Sequence, residues 1–412
     1  MNSLVSPDSH PAPVVGLGRQ PSATTWQRIP SIDIIRGAVM VLMAIDHVRV
    51  YSGLPAGGPS PGIFFTRWVT HFCAPAFVFL AGTSAFLKGT KLRDPGALAR
   101  SLLIRGAWLV LLELTVLRLA WTFNLDYGHY LLAGILWVIG WCMILMAALI
   151  RLPTAVIAVF GLTIVGGHNV MDGLAPRLLP ALQGSWLAPL WQVLYFGGPV
   201  ALGKDGPTLA VLYSIVPWIG VMALGYAFGV VMLMAPRPRR QVCLALGLGA
   251  IALFLVLRGF NLYGNPSPWG GPQSRLPPLL SFLNTNKYPA SLDFLLMTLG
   301  PTIALIPLLE HAKGAAAQVL TVFGRVPFFF YVLHIPLIHA AAILVSLLRL
   351  GEVSPWLMAN HPMMPPPPPD GYTWGLGLLY LVTVGVVVAL YFPCRWFEGL
   401  KHRRHEPWLS FL

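Results

Sequence analysis

The sequence predicts an all-α, polytopic transmembrane helix bundle with about ten spans, or eleven if a broken apolar segment at 189–202 is counted. Two observations lead to this class: 56% of the 412 residues are hydrophobic, and only 10% are charged. The mean hydropathy of +0.71 is too high for a soluble domain of this length. Because ten apolar runs are long enough to cross a bilayer, we expect an integral membrane protein.

The predicted spans divide the chain into three regions. Residues 1–29 are polar, rich in Pro and Ser, and lack the apolar core of a cleavable signal, which indicates a disordered cytoplasmic tail. Residues 30–397 form the transmembrane domain, and residues 398–412 form a basic cytoplasmic tail. Gly and Pro interrupt the segment 189–202, so we interpret it as re-entrant or interfacial. The ten spans cover 31–52, 68–88, 100–122, 129–150, 153–169, 208–234, 240–259, 289–312, 326–349 and 373–394.

Charge distribution predicts the orientation. A net charge of +13 would suggest nucleic-acid binding in a soluble chain. Here the basic residues cluster in short loops between apolar runs, where they are typical of cytoplasmic loops. Both termini are therefore predicted to be cytoplasmic. The basic loops and the C-terminal tail contain Lys88, Lys91, Arg93, Arg100, Arg151, Arg237, Arg239, Arg240, Lys313, Arg325, Lys401, Arg403 and Arg404.

The first span is unusually polar. An acid or base at the centre of a spanning helix costs about 2.5–3.5 kcal/mol to insert, so five ionisable groups need partners or a polar cavity. Asp33 and Arg36 are three residues apart and can pair on one helical face. Asp46 and His47 are adjacent, lie on different faces, and are expected to face a polar interior together with Arg49.

Polar residues of several spans are predicted to meet at the outer membrane face. Asp46, His47 and His71 share one depth, and a histidine beside a carboxylate suits general base catalysis, so these three are the catalytic candidates. His129 and His168 lie on the same side. The substrate that gives its proton to this base is here called the acceptor. The candidate acceptor-binding residues are Arg49, Asn284, Asn286, Lys287, Tyr288 and Asp293.

The cytoplasmic side has a different character. Arg36, Arg105 and Arg325 suit an anionic, phosphate-bearing ligand, and His334 is a candidate for the lining of a tunnel that this ligand would enter. His334 also has a structural interpretation, as a core histidine bonded to a backbone carbonyl freed by Pro327 or Pro336.

Several polar residues have structural explanations. Histidines and aromatic residues at a membrane interface are often amphipathic anchors, and Lys287 with Tyr288 fits a snorkelling pair at the headgroups. Glu113 and Arg118 are expected to be a structural pair. The four cysteines lack metal-ligand and CxxC spacing, so we expect free buried thiols and no metal.

Four motifs, in order, resemble one family. They are RIPSIDIIRGAVMVLMAIDHVR, WVTHFCAPAFVFLAGTSAFL, NKYPASLDFLLMTLGP and FGRVPFFFYVLHIPLIH. Together they resemble bacterial members of the heparan-α-glucosaminide N-acetyltransferase catalytic-domain family, part of a larger superfamily of transmembrane acyltransferases. The resemblance extends from about Arg28 to about Phe397.

The resemblance implies a transmembrane acyltransferase domain. It would move an acetyl group from cytoplasmic acetyl-CoA, the donor substrate, to an amine or hydroxyl of a sugar or glycan on the extracytoplasmic side. It also implies the bacterial inner membrane and a cell-envelope acceptor. The expected partners are acetyl-CoA, a sugar or glycan and the lipid bilayer, with no nucleic acid, and a homodimer is allowed.

The chain departs from the family pattern at the catalytic residues. The lysosomal relative uses an asparagine near the outer end of the first helix and a histidine in the next loop. Aligned on Met43, the asparagine position falls at His47, and the loop from Ser52 to Arg67 has no histidine. We therefore assign the base to His47 with Asp46, assisted by His71.

Two alternatives remain open from the sequence. One is a proton-coupled transporter of a small polar solute, in which Gly220, Gly225 and Gly229 would pack moving helices. The absence of a visible internal repeat is evidence against it. The other is a degenerate family member that only binds a partner.

Overall fold

The structure is a computed structural model that describes residues 29–58, 60–182, 184–270 and 276–404. The predicted disordered tail lies outside the described residues except for residue 29, and so does the end of the predicted basic tail, 405–412. The described residues are mostly helical, as predicted. Their helices are α1 (Pro30–Ser52), α2 (Pro61–Trp68), α3 (Cys73–Leu92), α4 (Pro95–Leu112), α5 (Arg118–Thr122), α6 (Ile135–Leu149), α7 (Thr154–Gly167), α8 (Val170–Leu182), α9 (Leu187–Trp191), α10 (Ile215–Met232), α11 (Pro236–Gly259), α12 (Pro278–Leu283), α13 (Leu292–Leu309), α14 (Ala315–Arg325), α15 (Pro327–Leu350) and α16 (Leu376–Arg403).

Short turns of other helical types connect several of these helices. A 3₁₀ turn at Val69–Phe72 joins α2 to α3, and another at Pro355–Met358 lies in the long connection between α15 and α16. A π-helical turn at Glu113–Leu117 joins α4 to α5, and a second one at Gln192–Phe196 follows α9. The segment interpreted as re-entrant or interfacial therefore contains a short helix, a π-helical turn and a strand.

Length and hydropathy identify fewer spans than the sequence predicted. Six helical segments among the described residues are long and apolar enough to cross a membrane, and a seventh is added if α7 and the first part of α8, bent by 56°, count as one span. α1 falls outside this set because it carries Asp33, Arg36, Asp46 and Arg49, and α6 because it has only 15 residues. The count of ten stays a prediction.

α1 lies at the centre of the bundle, in contact with α3, α13, α14, α15 and α16. Its crossing with α14 is very close: a Cβ on Gly37 would lie 1.8 Å from the Leu320 carbonyl oxygen, and one on Gly324 would lie 1.7 Å from the Asp33 carbonyl oxygen. Glycine on both helices lets the two backbones touch. A central position also gives the polar side chains of α1 protein partners instead of lipid.

α15 runs in the same direction as α1. Contacts between the two parts of the chain occur in the same order along both: Arg325, just before α15, meets Asp33, then His334 meets His47, and His339 meets Tyr51. We call the two ends of this pair the Asp33 end and the His47 end.

α3 and α10 also pack at backbone distance. A Cβ on Gly82 would lie 2.1 Å from the Met222 carbonyl oxygen, and one on Gly225 would lie 2.0 Å from the Phe79 carbonyl oxygen. Thr83 donates a hydrogen bond across this crossing to the Gly225 carbonyl at 2.9 Å. The transporter interpretation assigned Gly225 and Gly229 to moving helices. Both glycines pack tightly against α3.

The all-α prediction missed a small sheet. β1 (Tyr130–Ala133) pairs in parallel with β3 (Thr208–Val211), which pairs antiparallel with β2 (Gly198–Ala201). β1 and β3 fall at the starts of the apolar runs 129–150 and 208–234, which continue into α6 and α10. Short apolar strands attached to apolar helices have no distinct periodicity, so the sequence merged each pair into one span.

The expected pair of Glu113 and Arg118 is wrong. The guanidinium of Arg118 is fully buried and donates to the carbonyl oxygens of Tyr130 and Asp126 at 3.0 and 2.7 Å, to the Asn124 carbonyl and to the Thr122 hydroxyl. The Glu113 carboxylate instead accepts from the backbone N–H of Leu136 at 3.1 Å, at the start of α6. The π-helical turn between the two residues separates their side chains.

Candidate active site

Two histidines from the parallel helices α1 and α15 form a pair. The Nδ1 of His47 lies 2.7 Å from the Nε2 of His334. The Nδ1 of His334 lies 2.6 Å from the Tyr331 carbonyl oxygen, which only accepts hydrogen bonds. In a neutral His334 ring, Nδ1 therefore carries the proton and Nε2 is the acceptor. His47 must then donate from Nδ1, which leaves the lone pair on its own Nε2 free.

Aromatic rings hold the histidine pair in place. The Trp121 ring meets the His47 ring edge-on at a centroid distance of 4.7 Å, and the Phe330 ring stacks with His334 at 5.5 Å. His334 is fully buried, as the structural interpretation of this residue required. His334 is thus bonded to a backbone carbonyl, but to that of Tyr331 and not to one freed by Pro327 or Pro336, and it also contacts the candidate base.

Asp46 does not orient His47. Its carboxylate pairs with the Arg49 Nε at 2.8 Å, one helical turn along α1, and Arg49 also donates to the Leu54 carbonyl at 3.1 Å. No hydrogen bond joins Asp46 to His47 among the described residues. Adjacent residues on a helix point about 100° apart, so the position next to His47 cannot place a carboxylate on its ring nitrogen. The hydrogen-bond partner of His47 is therefore His334, and not Asp46 as the sequence predicted.

His71 is not hydrogen-bonded to either member of the histidine pair. It sits in the 3₁₀ turn before α3, is buried, and packs edge-on against Phe294 at a centroid distance of 5.3 Å. Neither ring nitrogen has a hydrogen-bond partner among the described residues. The structure therefore does not bring His71 to the Nε2 of His47, although both lie towards the same end of the bundle.

A cavity of about 310 Å³ opens beside His47. This volume is within the usual range of small-ligand sites. Five ionisable side chains besides His47 line this large cavity, and much of the rest of the wall is aromatic or proline. The lining includes Asp46, His47, Arg49, Arg67, Glu113, Trp121, Tyr213, Tyr288, Tyr331, Trp356, His361, Pro362, Pro365, Pro366 and Pro368.

The proline-rich connection between α15 and α16 forms one wall of the large cavity. The Trp356 indole donates to the Pro366 carbonyl at 2.7 Å, and the Trp374 backbone N–H donates to the Ser52 carbonyl at 2.9 Å at the end of α1. Burial lowers the pKa of His361, in this wall, to about 4. His361 is therefore neutral at pH 7 and adds no charge to the cavity.

A second, small cavity of about 30 Å³ also reaches His47. Apolar side chains make up much of its wall, including those of Met43, Ala74 and Phe77. Lys287 contributes its charged side chain to this wall, and Asp46 lines both cavities. The histidine base is thus accessible from two sides.

The segment expected to bind an acceptor divides into two groups. Lys287 and Tyr288 line the cavities. Asn284, Asn286 and Asp293 are absent from the described lining and serve the local backbone. The Asn284 carbonyl accepts a hydrogen bond from Arg258 at 3.2 Å, and the Asn286 amide donates one to the Pro289 carbonyl at 3.0 Å. Asp293 is buried, and its backbone N–H donates a hydrogen bond to the Gly264 carbonyl at 2.9 Å.

The other two histidines that were predicted to lie on the outer side, His129 and His168, are outside the described cavity walls. The exposed His129 lies 2.5 Å from the Asp126 carboxylate, and the buried His168 contacts the Ala290 carbonyl at 2.8 Å. All four cysteines are buried and free. Within the described parts of the chain, no group of three or more His, Cys, Asp or Glu side chains has the geometry of a metal site.

At the Asp33 end, the structure brings together two of the three arginines expected to bind phosphate. Arg36 pairs with Asp33 at 3.9 Å, as the spacing predicted, and also donates to the Ser84 hydroxyl. Arg325 lies 3.8 Å from Asp33 and 2.5 Å from Glu398. Both guanidiniums are therefore already paired with carboxylates.

The third arginine, Arg105, lies near Lys88 instead, and its Nε has no hydrogen-bond partner among the described residues. Lys88 donates to the Ser101 hydroxyl, in the wall of an open groove of about 540 Å³ at the start of α4. The three arginines expected to bind the phosphate-bearing ligand therefore lie in two separate places.

Sequence reasoning missed several cavity residues. Arg67 and Glu113 have ionisable side chains, and Trp121, Tyr331 and Trp356 form walls. Arg67 lies four positions before His71, so the depth argument applied to His71 also covers it. Glu113 was set aside because Arg118 offered a nearby opposite charge. No sequence signal indicated the three aromatic residues.

Residues 28–262 match the family model described as "Heparan-alpha-glucosaminide N-acetyltransferase, catalytic". The match covers more than half of the chain. The chain belongs to this family. A comparison with curated proteins gives no match. Membership in the heparan-alpha-glucosaminide N-acetyltransferase catalytic family, together with the apolar helices, indicates an integral membrane acetyltransferase. The matched region contains His47, Arg67 and Glu113, whereas His334 and Lys287 lie beyond it.

Proposed function

We propose that the protein transfers an acetyl group from cytoplasmic acetyl-CoA to an amine or hydroxyl of a sugar or glycan on the extracytoplasmic side of the membrane. The observation that carries this proposal is the histidine pair: His47 presents an unshared Nε2 lone pair next to a cavity of small-ligand size, and its Nδ1–H is held by His334. Family membership supports the reaction class.

In this mechanism His47 is the general base. Its Nε2 takes the proton of the acceptor N–H or O–H while the acceptor atom attacks the carbonyl carbon of the thioester. The tetrahedral intermediate then collapses, the carbon–sulfur bond breaks, and the CoA sulfur leaves with the proton returned by His47. A thioester is already activated, so positioning and deprotonation are the main tasks of the protein.

His334 stabilises the charged form of His47 in this scheme. When His47 becomes an imidazolium, its Nδ1–H donates to the Nε2 of His334, and His334 in turn donates to the Tyr331 carbonyl. The two hydrogen bonds spread the positive charge through a buried chain, where a charge-assisted bond is stronger than in water.

The proposed donor path begins at the Asp33 end. Arg36 and His47 are eleven residues apart, about 16 Å along the helix, a distance that an extended pantetheine arm can cover. Donor phosphates would replace Asp33 and Glu398 as partners of Arg36 and Arg325, or would bind beside Arg105 and Lys88. We place the acceptor in the large cavity at the His47 end.

The test is acetyl transfer by the purified protein in nanodiscs, with acetyl-CoA and a sugar that offers both an amine and hydroxyls, such as glucosamine. We expect release of free CoA and an acetylated product detectable by mass spectrometry. In proteoliposomes, donor and acceptor supplied on opposite sides should support transfer, and both supplied on the acceptor side should not. Absence of both CoA binding and CoA release would refute the proposal.

His334 is predicted to be a positioning residue. His334→Ala removes the acceptor of the His47 Nδ1–H and is expected to lower kcat about 10- to 100-fold, with little change in the KM for acetyl-CoA. His334→Gln keeps an oxygen near the position of Nε2 and should restore part of the loss. Equal losses in both variants, with normal folding, would contradict the orienting hydrogen bond.

A further inference from the structure

Lys287 is a buried cation whose ammonium has no hydrogen-bond or ion-pair partner among the described residues. Its side chain lies in the loop before α13, is 6% exposed, and lines the small cavity that it shares with His47. No hydrogen bond or ion pair to its ammonium is found in the described parts of the chain, and the ammonium lies 5.3 Å from the centre of the Tyr288 ring. A buried charge without a partner is costly unless a ligand supplies the counter-charge.

Arg67, which is half-buried in the wall of the large cavity, likewise has no hydrogen-bond or ion-pair partner for its side chain among the described residues. Its guanidinium lies 5.9 Å from the centre of the same Tyr288 ring. Within the described residues, its five N–H donors have no hydrogen-bond or ion-pair partner. Arg67 and Lys287 therefore place two cations near one aromatic ring, next to the candidate base.

The three buried arginines among the described residues, Arg49, Arg118 and Arg258, all have partners. Arg258 donates to four carbonyl oxygens, those of Ser267, Ser281, Phe282 and Asn284, at 2.8–3.2 Å. Arg118 is held by backbone carbonyls in the same way, and Arg49 is paired with Asp46 at 2.8 Å. Arg67 and Lys287 differ from these three arginines; outside the cavity walls, the Nε of Arg105 also has no hydrogen-bond partner among the described residues.

The acidic groups around the cavities do not neutralise these cations. Asp46 is near both but is already paired with Arg49. Glu113 is in the wall of the large cavity, where its carboxylate accepts from the Leu136 N–H, and it forms no ion pair with a described residue. His361 is neutral at pH 7. The Tyr288 side of the cavities therefore carries an excess of positive charge.

We propose that Arg67 and Lys287 form an anion subsite for a carboxylate or phosphate group carried by the acceptor. This inference rests on the proposed function and narrows it: the acceptor is an acidic glycan, not a neutral one. A planar guanidinium binds such oxyanions with two parallel hydrogen bonds, and a lysine adds a point charge. With its acidic group held near Tyr288, the acceptor is fixed next to the Nε2 of His47.

The first experiment compares two acceptors that differ in one acidic group, glucosamine and glucosamine 6-phosphate. We expect the wild type to have a kcat/KM at least tenfold higher for the phosphorylated sugar. Arg67→Gln and Lys287→Gln should each reduce this preference by about tenfold or more, because kcat/KM for the phosphorylated sugar should fall more than kcat/KM for glucosamine. Lys204→Gln and Arg177→Gln, which remove exposed charges, should leave the preference intact.

The outcomes separate the two proposals. Transfer to neither sugar refutes the proposed function. Transfer to glucosamine without a preference for the phosphorylated sugar refutes the anion subsite alone. Equal losses with both acceptors in the Lys287→Gln variant would also refute it, because such losses indicate stabilisation of the thioester oxyanion instead.

A binding measurement that needs no turnover completes the test. Glucosamine 6-phosphate should raise the thermal unfolding temperature of the wild type in maltoside micelles, and the Arg67→Gln/Lys287→Gln double variant should lose this shift. A headgroup phosphate is the other source of the same anion. A shift produced by phosphatidylglycerol nanodiscs but not by the sugar phosphate, and absent in the double variant, would overturn the acceptor assignment.

Discussion

His47→Ala is expected to lower kcat for acetyl transfer by about 10²- to 10⁴-fold, the usual contribution of a general base. The substitution removes the only ring in the described site that combines a free Nε2 lone pair with a place on both cavity walls. It also leaves the Nε2 of His334 without its donor. Acetyl-CoA binding should change little, because the proposed phosphate contacts lie at the Asp33 end.

His71→Ala is the matched control for this prediction. His71 is a buried histidine in the same half of the bundle. Neither of its ring nitrogens is hydrogen-bonded to a described residue, and it lies outside the described cavity walls. We expect less than a tenfold change in kcat. Single-turnover transfer and equilibrium binding of labelled acetyl-CoA would measure both variants. A large loss in His71→Ala with near-normal His47→Ala would reverse the assignment of the base.

Gly324→Ala is expected to cause the largest loss of stability among single glycine-to-alanine substitutions at the described glycines, because its Cβ would make the shortest contact. The new Cβ would lie 1.7 Å from the Asp33 carbonyl oxygen, and a backbone atom cannot rotate away. α14 must therefore move from α1, which also draws Arg325 away from Asp33. Overpacking usually costs about 1–3 kcal/mol, and a backbone clash of this kind belongs at or above the upper end. Gly37→Ala should behave alike.

Gly385→Ala is the control for the stability prediction. Gly385 lies inside α16, and a Cβ there would have no neighbour within 4 Å. The exchange should leave the unfolding temperature unchanged or raise it slightly, since alanine is the better helix former by about 1 kcal/mol. Thermal unfolding in detergent, followed by fluorescence and size-exclusion chromatography, compares the variants. Equal melting of Gly324→Ala and the wild type would contradict the close crossing.

Part of the site was predictable from the sequence because it depends on one helix. The cost of burying charged groups singled out the first span, and the three-residue spacing gave the pair of Asp33 and Arg36, which the structure confirms. The same reasoning found His47. The assignment of Asp46 as the orienting partner of His47 rested only on adjacency in sequence. Adjacent residues of a helix have side chains on different faces.

The partner of His47 was not predictable because depth along a helix depends on where the helix begins. His334 lies a third of the way along α15, and sequence reasoning placed it on the donor side. The starts of α1 and α15 are offset, and the close approach of α14 to α1 fixes that offset. A shift of a few residues between two helices changes which side chains meet.

The sequence by itself determined the membrane class, the helical content, the polar first helix and the family, because each follows from composition or from residues within one segment. Only the tertiary structure decided that His334 meets His47 and that His71 and Asp293 lie outside the described cavity walls. It also decided that Arg67 and Lys287 both lie near the Tyr288 ring with no ion-pair partner in the described parts of the chain. These relations join segments far apart in the chain. Packing of backbones at glycine contacts sets their geometry, and no local pattern encodes it.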